Sequence, residues 1–145
     1  MKKLCVLLLL ISTNLVLKGQ CDKKICLEYI KIIESAGDSL AINLTDGGSR
    51  GLYQISPTCL KTYNLLTNHN YTLDDLYKVK VNTEIARWMV DVEIPYLLKR
   101  CKLQNTLDNQ IITYNAGIAF LYYNWKIPKS TIAYINKYKK LIKKK

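Results

Sequence analysis

The sequence predicts one small, mainly α-helical domain with a glycine-rich loop that holds at most a short β region. Apolar residues recur at helical spacing in several segments along the chain. Residues 38–55 lack a long periodic run, and most of the glycines lie in or beside this stretch. The 145 residues contain no internal repeat and no low-complexity linker, so we expect a single domain.

Residues 1–20 are predicted to be a secretory signal peptide. Two lysines near the N-terminus precede a short apolar run and a softer stretch that ends at Gly19. The run is too short to span a bilayer comfortably, and we expect cleavage near Gly19 or Gln20, with an uncleaved membrane anchor as the alternative. A lipid on Cys21 is disfavoured, because Lys18 and Gln20 are large polar residues where a lipid-attachment signal requires small or apolar ones. We therefore expect export to the periplasm, the cell envelope or the extracellular space.

The cysteines are the next guide to the environment of the protein. Without its leader the chain keeps Cys21, Cys26, Cys59 and Cys101. An even number of cysteines behind an export signal favours disulfides, with three alternative pairings, over buried free thiols. A metal site is less favoured, because the spacings are irregular and His69 stands in a polar run that is typical of a loop. We expect neither a metal nor another cofactor.

The charge predicts an anionic partner. The chain has 22 Lys and Arg against 11 Asp and Glu, and loss of three leader lysines leaves 19 cations and a net charge of +8. Such an exported protein suits cell wall, acidic glycan or a membrane surface, whereas export and the lack of a recognisable module argue against nucleic acid. We expect residues 139–145 to be a basic C-terminal tail that can contact anionic wall polymers. Its ordinary explanation is a solvated helix end.

The first predicted helix ends at an acidic residue. Ile25, Tyr29, Ile32 and Ile33 fall on one face at helical spacing. Glu34 follows this apolar surface, where a carboxyl group loses part of its hydration and its pKa rises, as a general acid requires.

The loop and the next helix have recognisable turn and capping signals. We expect short extended pairing between residues 40–44 and 51–55. Ser56 followed by Pro57 predicts the N-cap and first position of a helix that runs through Leu65. Thr72 with Asp75 three residues later resembles the capping box of a short turn.

The longest candidate helix begins at Asn82. Its predicted apolar stripe has Trp88 beside it, which we expect in the core, and consists of Ile85, Met89, Val92 and Tyr96. Pro95 lies inside this pattern and should kink or split the helix.

Two further helices complete the domain. One follows Thr106 and ends near Gly117. Residues 121–125 continue in apolar and aromatic fashion, and Pro128 reopens a last helix. The predicted apolar stripe of that helix is Ile132, Ile135, Tyr138 and Ile142.

Three short segments carry a resemblance to a known family. They read ESAGDSLAIN at residues 34–43, GLYQ at 51–54 and YNAG at 114–117. Their order and spacing resemble the lytic transglycosylases of the soluble-lytic-transglycosylase (SLT) domain family, relatives of goose-type lysozyme. One such motif alone is weak, but three in order are a strong signal. The resemblance covers residues 21–138 and implies an α+β, lysozyme-like fold.

The resemblance implies a role for each matched residue. Glu34 would be the single catalytic acid and base that cuts the β-1,4 bond between N-acetylmuramic acid and N-acetylglucosamine in peptidoglycan, forming a 1,6-anhydro product. Gln54 would hydrogen-bond the substrate, and Asn115 would contact a sugar. Tyr114 would orient or polarise Glu34 through its hydroxyl group. Partners would be peptidoglycan glycan strands, bound by a monomeric protein.

Some matched positions differ from the family's usual residue, and two others are glycines with a backbone role. Tyr53 stands where the family often has methionine and would form part of the groove wall. Asn43 stands where many members have serine near the catalytic carboxyl group. The segment PKSTIAYINKY at residues 128–138 also resembles a later helix of the family, and Ser130 in it stands where a glutamate is often present. Gly51 and Gly117 would allow close backbone approach.

Each matched residue also has a purely structural interpretation. Glu34 would then be a solvated helix end, Tyr114 a core tyrosine bonded to backbone, and Gln54 an amide that closes a loop. Asn115 would be the last polar residue of a helix before Gly117.

Three alternative functions remain open on the sequence. A hydrolytic muramidase would pair Glu34 with a second carboxylate, for which Asp38 and Asp46 are the candidates. A glycan-binding or assembly protein without catalytic activity would retain the cleft but not the reaction. A cationic membrane-active protein is supported only by the lysine-rich tail.

Overall fold

The computed structural model describes residues 23–144, and this part of the chain is mainly helical, as the sequence predicts. The predicted signal peptide and Cys21 lie outside the described residues. The described elements, in chain order, are α1 (Leu27–Ser35), β1 (Ile42–Asn43), β2 (Ser49–Arg50), α2 (Pro57–Thr67), α3 (Val79–Trp88), α4 (Ile94–Arg100), α5 (Leu107–Asn115), α6 (Ala119–Tyr122) and α7 (Lys129–Lys143). Short 3-10 helices occupy Leu44–Asp46 and Asp74–Tyr77, and a π-helical turn occupies Met89–Glu93.

The core joins the first helix to the last ones. Helix α7 packs against α1 and α5, and α5 also packs against α4 and α6. The start of α1 is held by two side chains from far along the chain. The Gln110 carbonyl oxygen accepts from the Ile25 amide at 3.0 Å, and the Tyr138 hydroxyl accepts from the Cys26 amide at 2.6 Å. These bonds fix the orientation of α1, and therefore the position of Glu34, relative to α5 and α7.

The predicted β pairing is only partly correct. Ile42 pairs with Arg50 and Asn43 with Ser49 in an antiparallel ladder, and Arg50 makes a further isolated bridge to Ile55. Residues 51–54 form a turn instead of the predicted strand. Gly51 has φ +77° and Gln54 has φ +48°, and such left-handed conformations reverse an extended chain.

Gly51 is required by a close approach. A Cβ atom there would lie 2.3 Å from the Leu76 carbonyl oxygen and 2.4 Å from Asn82 Nδ2. Asn82 is buried and ties this turn to α3, because its amide accepts from Tyr53 N and donates to the carbonyl oxygens of Arg50 and Leu76, each at 2.9 Å. Asn82 was predicted to start a helix. Helix α3 begins at Val79 instead, and Asn82 serves the loop from inside it.

The predicted split at Pro95 is confirmed, but the predicted stripe on this segment is wrong after Met89. Val92 and Tyr96 are 53% and 54% exposed. The π-helical turn inserts one residue before Pro95 and rotates the buried face. The side chains that this segment buries are Ile85, Ala86, Val90, Ile94 and Leu98.

The apolar faces of the first and last helices also differ from the predicted stripes. On α1, Ile32 is exposed and Ile30 is buried, whereas on α7, Ile132 is exposed and the buried residues are Thr131, Tyr134 and Tyr138. Polar and aromatic residues therefore make the buried face of α7, which an aliphatic pattern does not reveal.

The two capping predictions are confirmed, and a third cap occurs at Thr106, after which a helix was predicted. The Ser56 hydroxyl accepts from the Cys59 amide at 3.1 Å, and the Thr72 amide donates to Asp75 Oδ2 at 2.7 Å. The Thr106 hydroxyl caps α5. These local signals depend on few neighbours, so the sequence alone reveals them.

The C-terminal lysines belong to α7. The helix continues through Lys143, Lys139 Nζ lies 2.8 Å from Asp108 Oδ2, and Leu141 and Ile142 pack in part against the core. The helix therefore runs across the boundary predicted at residue 139, in keeping with the interpretation of these lysines as a solvated helix end.

The described cysteines and His69 have simple surroundings. Cys26, Cys59 and Cys101 are free thiols in residues 23–144, so these three form no bridge with one another, while disulfide formation in an oxidising compartment stays a prediction. His69 lies in the loop after α2, as predicted, with its ring stacked on Tyr71.

No group of three or more His, Cys, Asp or Glu suited to a metal ion occurs among the described residues. No helix in this part of the chain is long and apolar enough to cross a membrane.

Candidate active-site cleft

An open cleft of about 540 Å³ lies where the end of α1, the β loop, the start of α2, the π-helical turn and the end of α5 meet. Its lining includes five of the predicted site residues, namely Glu34, Asn43, Gln54, Tyr114 and Asn115, together with Gly117. Residues separated by eighty positions in the chain therefore share one cavity.

Glu34 lies in the last turn of α1 and lines the cleft. Burial raises the pKa of its carboxyl group from the ordinary 4.5 to about 7, and the nearby Asp46 charge adds to this. The hydrogen bond from Tyr134 and the charge of Lys137 lower the pKa, but they do not offset the burial. A carboxyl group that is partly protonated near neutral pH can donate a proton to a bound substrate.

Tyr134 is the direct partner of Glu34, and the sequence reasoning missed it. Its hydroxyl donates to Glu34 Oε1 at 2.8 Å from a buried position on α7. The available signal was the helical spacing of Thr131, Tyr134 and Tyr138, which places three hydroxyl groups on one face. One of these tyrosines anchors the start of α1 and another bonds the acid at its end.

Tyr114 does not have the predicted bond to Glu34. Its hydroxyl donates to the Tyr53 carbonyl oxygen at 2.8 Å, so its role through that hydroxyl is structural. Burial, followed by the negative charge of Glu34, raises the pKa of Tyr114 well above its usual value. Tyr114 therefore stays neutral in the cleft wall, close enough to interact with the charge of Glu34.

Tyr53 does not form part of the groove wall, as was predicted, but lies in the core. It is only 4% exposed and packs in the hydrophobic core, where its backbone receives the Tyr114 hydroxyl and donates to Asn82. The GLYQ turn exposes Gln54 to the cleft and directs the preceding side chain inward.

Gln54 lines the cleft and also closes the loop. Its side-chain nitrogen donates to the carbonyl oxygens of Ala41 at 3.2 Å and Gly51 at 3.0 Å. The structural interpretation of this amide is confirmed, since both bonds hold the turn. Its role toward a substrate stays a prediction.

Asn115 and Gly117 form the opposite wall. Asn115 is the last residue of α5 and is exposed, and its Oδ1 atom accepts from the Thr131 hydroxyl at 2.7 Å. Gly117 ends the helix at φ +93°, with its amide bonded to the carbonyl oxygens of Ile112 and Thr113. Thr131 orients the Asn115 amide, which leaves the side-chain nitrogen as a donor at the rim.

Asp46 is the second carboxylate candidate that reaches the cleft, whereas Asp38 caps its own turn by accepting from the Leu40 amide. Asp46 Oδ1 accepts from the amides of Ser49 and Gly48, and Oδ2 accepts from Asn43 at 3.1 Å. Burial alone would raise the pKa of Asp46, but the hydrogen bonds from Ser49 and Gly48 together lower it. In the pH range in which Glu34 is protonated, Asp46 is therefore ionised.

Two further lining residues carry information. Trp88 was predicted in the core; it is half-buried, packs edge-on against Tyr63 and also lines the cleft. Glu93, on the π-helical turn, lines the cleft too, and burial raises the pKa of its carboxyl group. Sequence reasoning missed Glu93 because the extra residue of the π-helical turn sets its direction.

Comparison of the chain with protein-family models, with curated proteins and with solved structures found no match in any of the three. The assignment of a function therefore depends on the motifs of the sequence and the geometry of the cleft.

Proposed function

We propose that this chain is an exported peptidoglycan lytic transglycosylase that cleaves the β-1,4 bond between N-acetylmuramic acid and N-acetylglucosamine. The observation that carries the proposal is the carboxyl group of Glu34, whose pKa is raised to about 7 in the wall of an open cleft. A glycosidase acid needs a pKa near the working pH and access to the leaving oxygen. Gln54 of the matched GLYQ segment and Tyr114, Asn115 and Gly117 of the matched YNAG segment line the same cleft.

One carboxyl group suffices for the complete reaction. Protonated Glu34 gives its proton to the glycosidic oxygen while the bond from that oxygen to C1 breaks. The resulting carboxylate then accepts the proton of the C6 hydroxyl of the same muramyl residue, and the C6 oxygen forms a bond to C1. The 1,6-anhydro ring closes, Glu34 regains its proton, and no water is consumed.

The environment of Asp46 supports a single-acid mechanism. Its two oxygens are hydrogen-bonded within the loop to Ser49, Gly48 and Asn43, which explains its position as a structural cap. Its lowered pKa also makes it a weak base for activating water.

The cleft offers suitable contacts for an N-acetylated sugar polymer. Amide side chains at its rim, from Asn43 and Asn115, can exchange hydrogen bonds with hydroxyl and acetamido groups. Trp88 supplies an aromatic surface in the lining of the cleft. The excess of positive charge favours approach to the anionic cell wall.

A hydrolytic muramidase is the second candidate, because Asp46 lines the same cleft as Glu34. A protonated glutamic acid beside an ionised aspartate is the arrangement of a two-carboxylate glycosidase. In that mechanism Asp46 would activate water or attack C1, and the product would carry a reducing end.

Glu34→Gln tests the proposed acid. We expect the variant to lose lysis of purified peptidoglycan by at least about 100-fold, since proton transfer contributes on the order of that factor or more. Glu28→Gln is the matched control, because Glu28 lies on the same helix, is exposed and pairs with Lys31. Lysis that survives Glu34→Gln, or that Glu28→Gln reduces equally, would remove Glu34 from the mechanism.

A further inference from the structure

A cluster of aromatic side chains lies exposed next to the cleft. Tyr122, Tyr123 and Trp125 are 57%, 61% and 53% exposed. They follow Gly117 and Ile118, which line the cleft, by only a few residues. Folding leaves these rings in water, although most of the other described aromatic side chains are buried or half-buried, and an exposed apolar patch of this kind marks an interaction site.

The backbone organises the cluster. Asn124 has φ +53°, and this left-handed residue turns the chain so that the Trp125 ring stacks on that of Tyr123, with ring centres 5.2 Å apart and planes at 23°. The Trp125 amide donates to the Phe120 carbonyl oxygen at 2.9 Å, and the two rings meet edge to face at 5.6 Å. The rings are therefore held in place before any ligand binds.

The rings of this loop are not needed to anchor it. Ile118 and Leu121 supply the contacts with the core from the same segment. Tyr122 meets Tyr123 edge to face at 4.9 Å, so the exposed rings mainly contact one another. Two exposed lysines, Lys126 and Lys129, follow immediately.

We propose that Tyr122, Tyr123 and Trp125 form an aromatic platform that binds the N-acetylated glycan strand where it leaves the cleft. This inference rests on the proposed function, because it takes the strand to lie in the cleft. The C–H faces of sugar rings are apolar and stack on aromatic faces, while phenol and indole groups bond sugar hydroxyls. Lys126 and Lys129 suit the carboxylates of the peptides attached to the strand.

Continuity with the cleft favours a glycan over a membrane as the occupant. Gly117 and Ile118 line the cleft, and the short helix α6, which ends at Tyr122, begins at the next residue, so the platform adjoins the Gly117 side of the cleft. The platform consists of ring systems with polar edges and has no aliphatic side chain among its three members. A membrane-inserting patch would combine rings with aliphatic residues.

Binding measurements with the Glu34→Gln protein test the platform without cleavage. The probe is peptide-free glycan strands, prepared from peptidoglycan with an amidase. We expect Trp125→Ala in this background to weaken binding about 2- to 10-fold, the range expected for loss of one aromatic contact. Trp125→Phe should restore most of the affinity. Tyr96→Ala, which removes a similarly exposed tyrosine on α4, should leave it unchanged.

A second arm uses vesicles of anionic phospholipid. We expect Trp125→Ala to leave vesicle binding unchanged, and a loss confined to vesicles would overturn the glycan platform in favour of a membrane contact. Equal binding of glycan strands with and without Trp125→Ala would overturn it as well. Failure of the proposed function gives a different result: the glycan strands bind through Trp125, but the wild-type protein forms no anhydro ends.

Discussion

At the scale of single residues, the chemistry depends on the surroundings of the Glu34 carboxyl group. Apolar neighbours make its charged form costly, and Tyr134 is the donor that stabilises that form. The acid can therefore change its protonation state near neutral pH, because burial raises its pKa and the Tyr134 hydroxyl offsets only part of that rise.

Stability should depend on pH through this residue. The pKa of Glu34 is about 7 in the folded protein against an ordinary 4.5, so folding favours the protonated form. The stability contribution is fully present below pH 4.5 and is lost as the pH rises through 7, by on the order of 3 kcal/mol. Urea unfolding at pH 4 and pH 8 should show this loss in the wild-type protein and not in Glu34→Gln. An identical pH dependence in both proteins would contradict the raised pKa.

Tyr134→Phe should change the pH profile of activity. Removing the donor raises the pKa of Glu34 further, so the alkaline limb should move up by about one pH unit, and kcat should fall about tenfold because the carboxylate is less well stabilised. Tyr114→Phe is the control, since it loses a bond to backbone and should cost about 1 kcal/mol of stability without moving the limb. A profile that moves with Tyr114→Phe and not with Tyr134→Phe would reverse the two roles.

Site residues whose surroundings are close in sequence could be predicted, and those whose surroundings come from distant segments could not. Glu34 could be predicted, because its helix, the apolar run before it and the loop after it are all local in sequence. The roles of Tyr114 and Tyr134 could not be separated, since both depend on how α5 and α7 pack around α1. The inward direction of Tyr53 follows from the turn at Gly51, whose geometry depends on Asn82, about thirty residues away.

At the scale of elements, capping residues made the helix starts predictable and the π-helical turn made one helix face unpredictable. Ser56, Thr72 and Thr106 signal their caps through neighbours within three residues. A single inserted residue before Pro95 rotates every later side chain, and apolar spacing alone does not reveal such an insertion. The capped helices therefore lie close to their predicted positions, whereas α3 begins three residues before its predicted start and α6 was not predicted. The buried faces of the helices needed the tertiary structure.

Gly51→Ala tests the turn that carries Gln54. The added Cβ would meet Leu76 and Asn82 at 2.3 and 2.4 Å, and φ is +77°, so we expect a loss of at least about 3 kcal/mol in the free energy of unfolding. Gly37→Ala is the control, because it has φ +90° but open space around its Cβ position, and it should cost only about 1 kcal/mol. Thermal unfolding of both variants checks the difference, and equal losses would contradict the close approach.

At the scale of the whole molecule, charge and cleft serve different steps of the proposed function. In the proposed function, the net positive charge would concentrate the protein at an anionic wall, and the cleft would select the bond to be cut. The lysines of α7 lie on a helix that packs against the core, so a deletion would disturb the fold as well as the charge.

Replacing Lys140, Lys143 and Lys144 with glutamine separates the two contributions. We expect weaker binding to intact peptidoglycan at low salt and a flatter salt dependence, with unchanged cleavage of short soluble glycan fragments. Binding to sedimented wall at several salt concentrations measures the first effect. Loss of cleavage of the soluble fragments would instead show that the activity depends on the lysines, and would favour a cationic membrane-active protein over a glycan-cleaving enzyme.

The chemical identity of the product tests the central claim most directly. Purified peptidoglycan is digested with the protein in water labelled with heavy oxygen, and the released muropeptides are weighed by mass spectrometry. The single-acid mechanism of Glu34 predicts 1,6-anhydromuramyl ends that are lighter by one water molecule than reducing ends and carry no label. New reducing ends formed in place of anhydro ends would contradict it and assign the protein, through Glu34 and Asp46, to the hydrolases.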